Sequence, residues 1–275
     1  MGPLVLTSGH FFVPTRRRCA TGYNPVIMVD IHCHLLPAVD DGSESWEMTR
    51  AMMRVAAEDG ITHIVCTPHA NDHYPYDRVE HLDRLAEAQA MAGEWPQLLL
   101  GCDFHLSYDN IQDALAHPRR YTIGSTPYLL IEFSDFGVPP GVLESVHRMV
   151  AAGMNPIVTH PERNATLGKN HDIVLRLVQL GCLVQVTASA LTGYWGEGVK
   201  LIAQQLFQKK LVHLLATDAH DPERRAPRLS AARDAAAKLV GEAAANALVD
   251  DNPRAVIEGR PLVSMPQPAP ARTGA

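Results

Sequence analysis

Val26-Ile27-Met28-Val29-Asp30-Ile31-His32-Cys33-His34 decides the fold. It is a short apolar run that ends abruptly in two imidazoles. The same design recurs along the chain: Ile61–Thr67 runs into Pro68-His69, Leu98–Cys102 into Asp103, Tyr128–Ile131 into Glu132, Pro156–Thr159 into His160, and Val212–Thr217 into Asp218-Ala219-His220. A further run, Leu183–Ala188, ends in neither acid nor histidine. Short apolar, β-branched runs between helical segments read as buried parallel strands. Helical segments are predicted over 78–92, 108–116, 140–152, 170–180, 198–210 and 229–249, and another follows Asp41-Gly42-Ser43, which offers N-caps. Gly60, Gly93, Gly153 and Gly181 close helical segments as C′ residues do. The alternation predicts an α/β fold, a single distorted (β/α)7 barrel over 28–260, with an open doubly wound sheet as the competing architecture. In such barrels chemistry gathers at the C-terminal ends of the strands, where all these acids and histidines fall.

The bulk numbers narrow the function. A chain of 275 residues with 46% hydrophobic residues fits one barrel domain with a full core. A formal charge of −6 speaks against a general nucleic-acid binder. Cys19, Cys33, Cys66, Cys102 and Cys182 form no CxxC pair and read as reduced thiols, mostly buried beside strands. No apolar run has the ~18–20 residues that span a bilayer, so no membrane insertion and a cytoplasmic location are expected. Residues 1–27 carry Arg16-Arg17-Arg18 with no long apolar core behind them and read as a flexible extension, with Met28 a candidate start. The Pro- and Ala-rich stretch 261–275 reads as a disordered tail.

His32 and His34 stand at i and i+2 on a strand, so both rings are aimed to one face. Asp218 and His220 repeat the device with a carboxylate and an imidazole. Adding His69, Asp103, Glu132 and His160 gives several imidazole–carboxylate groupings at one barrel mouth, which points to a multinuclear metal site. Either Asp40 or Asp41 joins them. Hard oxygens beside imidazoles suit Mn²⁺, Fe²⁺ or Zn²⁺. Arg163 and Arg225 follow two of these strand ends and point to an anionic substrate, since Arg binds phosphate bidentately. Arg224 reads as an ordinary surface residue. His10, His63, His81, His105, His117, His147, His171 and His213 read as helix, strand-interior or loop residues without a metal role, and His73 is left open. No Cys-x5-Arg, GxSxG or P-loop sequence occurs.

Asp30-Ile31-His32-Cys33-His34-Leu35-Leu36-Pro37 with Asp40-Asp41-Gly42, Thr67-Pro68-His69, Ile131-Glu132-Phe133, Thr159-His160-Pro161-Glu162-Arg163 and Asp218-Ala219-His220 resemble the polymerase and histidinol phosphatase (PHP) family. Within it the chain is most similar to the bacterial manganese-dependent tyrosine phosphatases of capsule and exopolysaccharide loci. The resemblance implies two to three metal ions. His32, His34, Asp103 and Asp218 would hold one, Asp103, Glu132 and His160 a second, and Asp41 (or Asp40), His69 and His220 a third. The chain departs at Asp103, where that branch usually carries Glu, one methylene longer. The resemblance also implies a phosphotyrosine protein as partner, the tail of a bacterial tyrosine autokinase of polysaccharide assembly.

The expected reaction is phosphomonoester hydrolysis by a cation-acidified water, with Arg163 and Arg225 on the phosphoryl oxygens and His220 or Asp41 assisting the leaving group. Tyr74, Tyr76, Phe133 and Phe136 are candidates for an aromatic rim. The competing functions are a small-molecule phosphatase acting on histidinol phosphate or a sugar phosphate, an amidohydrolase-type hydrolase, and an inactive metal-binding scaffold. The amidohydrolase reading is weakened because no Lys ends any of the first four strands.

Overall fold

The structure, a computed structural model, describes residues 27–134 and 137–268. In chain order the elements are β1 (Met28–Cys33), α1 (Trp46–Glu58), β2 (Ile61–Cys66), β3 (His69–Ala70), α2 (Arg78–Ala92), β4 (Gln97–Leu100), β5 (Asp103–His105), α3 (Tyr108–Ala116) and β6 (Tyr128–Glu132). There follow α4 (Val142–Ala151), β7 (Asn155–Thr159), α5 (His171–Gln179), β8 (Leu183–Thr187), α6 (Ala188–Thr192), α7 (Glu197–Gln208), β9 (Leu214–Ala216), α8 (Ser230–Val240), α9 (Glu242–Val249) and α10 (Asp251–Ile257).

Every strand pairing is parallel, in two sheets of order β1-β2-β4 and β3-β5-β6-β7-β8-β9. The expected α/β fold with parallel strands is present, and among the described residues the strands form two ladders without a closed sheet. The cause is local. The second and third apolar runs each break once, at Thr67-Pro68 between β2 and β3 and at Gly101-Cys102 between β4 and β5. Pro68 has no N–H to continue a ladder. At the far side the sheets touch through an isolated parallel bridge between Cys33 and Ala219. There the Asp218 amide donates to His32 O at 2.8 Å and the His34 amide to Ala219 O at 2.9 Å.

Alternation along the strands divides the core. Val29, Ile31, Val65, Leu130, Ile157, Leu183, Leu214 and Ala216 pack with one another, joined by Val256 and Ile257 of α10. Their neighbours of opposite parity, such as Ile64, Leu129, Ile131, Val158, Val184 and Leu215, pack in a second cluster with the helices.

Several local expectations change. The long helix read over 229–249 is two helices, because Gly241 sits at φ 85° between α8 and α9. The N-cap of α1 is Ser45, whose hydroxyl accepts from Met48 N, and not a residue of Asp41–Ser43. Of the stretch 261–275 read as a disordered tail, residues 261–268 are described, and Ser264 exchanges two hydrogen bonds with the buried Asn252 side chain. The residues of the N-terminal extension up to 26, Cys19 among them, lie outside the described residues, as does Phe136. Cys33, Cys66, Cys102 and Cys182 are free and buried. Among the described residues no helix is long and apolar enough to cross a membrane.

His213, just before β9, is fully buried, and its Nδ1 accepts from Val184 N at 3.1 Å. Burial pushes its pKa down from 6.5 to about 4. Below pH 6.5 the unfolded chain takes a proton that the native chain refuses, so this residue's contribution to stability falls as pH drops from 6.5 to about 4. His213→Asn keeps an acceptor and does not titrate. The wild-type-minus-variant difference in unfolding free energy, from urea denaturation, is expected to decline across that window; a flat difference contradicts the assignment.

Candidate metal centre

Register builds the site. In the β3–β5 pair His69 stands opposite Asp103, and in the β5–β6 pair His105 stands opposite Glu132. The Cys33–Ala219 bridge lays His32 and His34 beside Asp218 and His220. One cavity of about 840 Å³ is lined by Asp41, His69, Asp103, Glu132, His160, Asp218, His220, Arg163 and Arg225. His32 and His34 lie fully buried behind them.

Four overlapping groups have donor atoms within 4.8 Å of one another: His34–Asp41–His69–His220, His32–His34–Asp103, His32–His160–Asp218, and His69–Asp103–Glu132. All nine candidate ligands therefore meet in one place, with His34, His32, His69 and Asp103 each shared between groups. The sharing crosses the three sets that the resemblance implies: His69 faces Asp103 and Glu132 as well as Asp41, and His160 groups with His32 and Asp218 while its Nε2 stands 3.7 Å from Glu132.

The donor chemistry fits divalent cations. His32 Nδ1 pairs with Gln185 Oε1 at 3.1 Å, and His34 Nδ1 with Asp40 Oδ2 at 2.8 Å. Oxygen acceptors there fix the proton on Nδ1, leaving both Nε2 lone pairs free. Those two Nε2 atoms stand 3.2 Å apart, facing the same point. His220 Nδ1 likewise gives its proton to Asp218 O at 3.0 Å, and its Nε2 lies 3.4 Å from Asp41 Oδ1. Among the described residues, both oxygens of buried Asp103 and the Nδ1 of His69 have no hydrogen-bond partner. Two N or O donors at ~2.0–2.2 Å from one ion lie roughly 3.0–3.4 Å apart. The cross-site distances here run from 3.2 Å to 3.7 Å. A buried, unpartnered carboxylate is costly without such a charge.

Protonation follows the same logic. Burial alone would raise the Asp218 pKa, yet His32, His34, Arg163 and Arg225 hold it well below the usual carboxylate range. Asp103, equally buried, is held low by His32, His69 and His160. Glu132 is pushed up by burial and by the charge of Asp103. Burial and the Arg163 charge bring His160 down to about 3, and burial and His34 bring His220 down to about 4. Burial would lower His32, His34 and His69 too, yet the carboxylates they face raise all three; since neutral imidazoles are the form that ligates, a cation there displaces protons.

The adjacent acids Asp40 and Asp41 play different parts. Asp40 is saturated, taking His34 Nδ1, Gly42 N at 2.9 Å and His69 N at 3.2 Å. Asp41 turns into the mouth, 3.3 Å from His69 Nε2. Gly42 permits this, because a Cβ there would meet His34 O at 2.3 Å. His160 and Asp218 both have positive φ, 31° and 52°, a strained conformation for side-chain-bearing residues.

Arg163 and Arg225 both pair with Asp218 Oδ2, Arg225 at 2.8 Å. Of the aromatics, Tyr74 stacks on His69 at 5.9 Å and Phe133 lines the cavity. Tyr76 does not: it is buried, its hydroxyl donating to Gly101 O. His73 lines the outer wall. Three contributors were missed from sequence. His105, set aside as a loop-type histidine, faces Glu132 at 3.8 Å, and its i+2 spacing from Asp103 on β5 was the available signal. Gln185 lies in the run that ends bare. Trp195 lies under both arginines, and its loop carries no motif.

A family model for capsular polysaccharide synthesis, CpsB/CapC, matches residues 28–258. The chain belongs to this family. It is 32% identical over 202 residues to the tyrosine-protein phosphatase YwqE of Bacillus subtilis, covering 72% of this chain and 79% of that one. It is 28% identical over 239 residues to the tyrosine-protein phosphatase CpsB of Streptococcus pneumoniae, covering 84% and 98%. A crystal structure from work on YwqE and CpsB, described as unique metal-dependent tyrosine phosphatases, superposes with a TM-score of 0.80 at 29% identity, covering 88% of this chain and all of that one. A histidinol phosphate phosphatase from Lactococcus lactis shares the fold, with a TM-score of 0.54 at 12% identity.

Asp103 is the most exacting test of the donor set. Asp103→Asn removes the charge that two imidazoles face and is expected to lower the metal bound per chain, measured by mass spectrometry after dialysis against Mn²⁺. Asp103→Glu is expected to retain it. Equal loading of wild type and Asp103→Asn contradicts a ligand role.

Proposed function

We propose that this chain is a metal-dependent protein-tyrosine phosphatase. The observation that carries the reading is the pair Arg163 and Arg225 beside a nine-residue imidazole–carboxylate cluster in one open cavity, in a chain of the CpsB/CapC family. The two ladders are read as one distorted barrel, supported by the Cys33–Ala219 bridge. His32, His34, Asp41, His69, Asp103, Glu132, His160, Asp218 and His220 hold two to three Mn²⁺ ions, in the overlapping groups described above. Divalent cations bound there supply Lewis acidity toward phosphoryl oxygens and a lowered water pKa.

The chain's own residues do the rest. Arg163 and Arg225, 23% and 20% exposed at the side chain, offer planar N–H pairs to the non-bridging oxygens and offset the charge that grows on them. Asp40 and Gln185 hold the rings of His34 and His32, so neither imidazole rotates off its donor direction. Tyr74 and Phe133 line the mouth where an aryl ring would lie. Asp41 and His220 face each other at 3.4 Å beside the cavity, both held in the deprotonated form, so either can help the departing oxygen only after taking up a proton. A phenolate, pKa near ~10, leaves with less such help than an alkoxide. The natural substrate is a phosphotyrosine protein of capsule or exopolysaccharide assembly, the tyrosine-rich tail of its kinase.

A substrate panel with Mn²⁺ tests the reading. Turnover of p-nitrophenyl phosphate and a phosphotyrosine peptide is expected well above that of a phosphoserine peptide, lost in EDTA and restored best by Mn²⁺. A higher kcat/KM for histidinol phosphate would replace the proposal with a small-ester phosphatase. Arg163→Ala is expected to cost about 2–4 kcal/mol in kcat/KM, the order seen when one oxyanion donor is lost.

A further inference from the structure

Trp195 lies outside the donor set, yet it touches both cationic residues of the cavity. The Arg163 guanidinium carbon lies 4.1 Å from the centroid of the Trp195 ring, and that of Arg225 lies 5.4 Å from it. Like charges brought together on one carboxylate oxygen repel, and each guanidinium has several rotatable bonds behind it. An aromatic face attracts both and is flat, so it aligns flat groups.

The indole is itself anchored. Its Nε1 donates to Ser189 Oγ at 2.9 Å, and Tyr194 meets it edge-on, centroids 5.2 Å apart at 87°. The loop holding it is short and bounded by two glycines in left-handed or otherwise positive-φ conformations, Gly193 at 92° and Gly196 at 88°. Two turn hydrogen bonds, Tyr194 N to Ser189 O and Gly196 N to Gly193 O, close it at 3.0 Å each. Ser189 belongs to α6, which begins where β8 ends. Buried Glu162, one residue before Arg163, accepts from Thr187 N at 2.8 Å at that junction. The platform and the first arginine are therefore tied to the same point of the fold.

We infer that Trp195 is a positioning residue for the substrate's phosphoryl group: its indole face holds Arg163 and Arg225 side by side so that both guanidinium groups meet one phosphate. This rests on the phosphatase reading and goes beyond it in assigning a residue of the phosphate subsite that is neither ligand nor charge. The two sides of the planar requirement can be separated by substitution. Trp195→Phe keeps an aromatic face, whereas Trp195→Leu fills the space without one.

The test measures kcat and KM for p-nitrophenyl phosphate, the inhibition constant of inorganic phosphate, and phosphate binding by calorimetry, all with Mn²⁺, with thermal melting as the folding control. Trp195→Leu and Trp195→Ala are expected to raise KM and the phosphate inhibition constant about tenfold, while Trp195→Phe stays within about threefold of wild type. In an Arg163→Ala background the added Trp195→Leu change is expected to do much less, because the group it positions is gone. A merely structural role moves melting and kcat but leaves the Phe and Leu variants alike and the double variant additive. Unchanged phosphate inhibition in Trp195→Leu, equal loss in Phe and Leu, or full additivity with Arg163→Ala each overturns the inference. Should the Ala variant fail to fold, the Phe–Leu contrast still decides. Should wild type turn over no phosphate ester, the phosphatase reading fails, while calorimetry with inorganic phosphate still judges the role of Trp195.

Discussion

One carboxylate, that of Asp218, organises the site. Its Oδ1 faces His32 Nε2 at 3.5 Å, His34 Nε2 at 3.4 Å and His220 Nδ1 at 3.7 Å, and its Oδ2 takes both arginines. A buried carboxylate without such company would cost several kcal/mol and titrate to its neutral form. Its backbone is held at φ 52°, a conformation that costs on the order of 1 kcal/mol or more and persists only where neighbours impose it. The imposition comes from the preceding residue. Thr217 gives its amide to Asp30 Oδ1 at 3.0 Å and its hydroxyl to Oδ2, so β1 grips the end of β9 through a fully buried acid. Burial raises the Asp30 pKa to about 6 despite these bonds. The same acid accepts from His32 N at 3.3 Å, so one side chain sets the direction of both partners that meet across the gap.

That gap is where the architecture departs from a regular barrel. A continuous ladder would need every strand to present N–H and C=O groups in step. Pro68 and the Gly101-Cys102 break interrupt it on one side, and on the other β1 meets the segment after β9 through the isolated Cys33–Ala219 bridge. Each interruption falls beside a site residue: His69 follows Pro68, Asp103 follows Cys102, Asp218 precedes Ala219. A break between ladders lets the next residue start on a new face, and His69 and Asp103 open the ladder that they share. The irregularity and the density of ligands have one cause.

This explains what could be read from the residues alone. Apolar runs of the right length exposed the strands, because burial on both faces leaves no polar positions in them. The acids and histidines at their ends identified the cluster, because nothing else tolerates so many such groups beside a core. Register was not legible, since it depends on pairing across the chain. So His105 passed as an incidental residue, although on β5 it shares a face with Asp103. Asp40 and Asp41 are chemically the same and adjacent; only the close approach of Gly42 to His34 separates the holder of a ring from the residue that faces the mouth. Trp195 acts through contacts made by tertiary packing, which leave no periodicity behind. Gly241 stands inside an alanine-rich helical pattern, and its φ of 85°, which splits the helix, is set by the packing of α8 against α9.

Charge then sets the order in which the site can work. Asp41, Asp103, Glu132 and Asp218 bring four carboxylates to the cavity, and Arg163 and Arg225 answer only two of them. His160 and His220, held near 3 and 4 by burial first, add no positive charge near neutral pH. Asp40 is already committed to His34. The other imidazoles go the opposite way: despite burial, the carboxylates they face raise His32, His34, His69 and His105, so in the protein alone protons sit on nitrogens that would otherwise ligate. Divalent cations held by those donors would displace the protons. They would also relieve the claim of Asp218 on both arginines, since a carboxylate shared with a cation holds its guanidinium partners less firmly. On this reasoning the acids and the arginines do not compete for one role. The acids and imidazoles offer the cavity to cations, and the guanidinium pair, packed against the Trp195 ring, offers it to an anion.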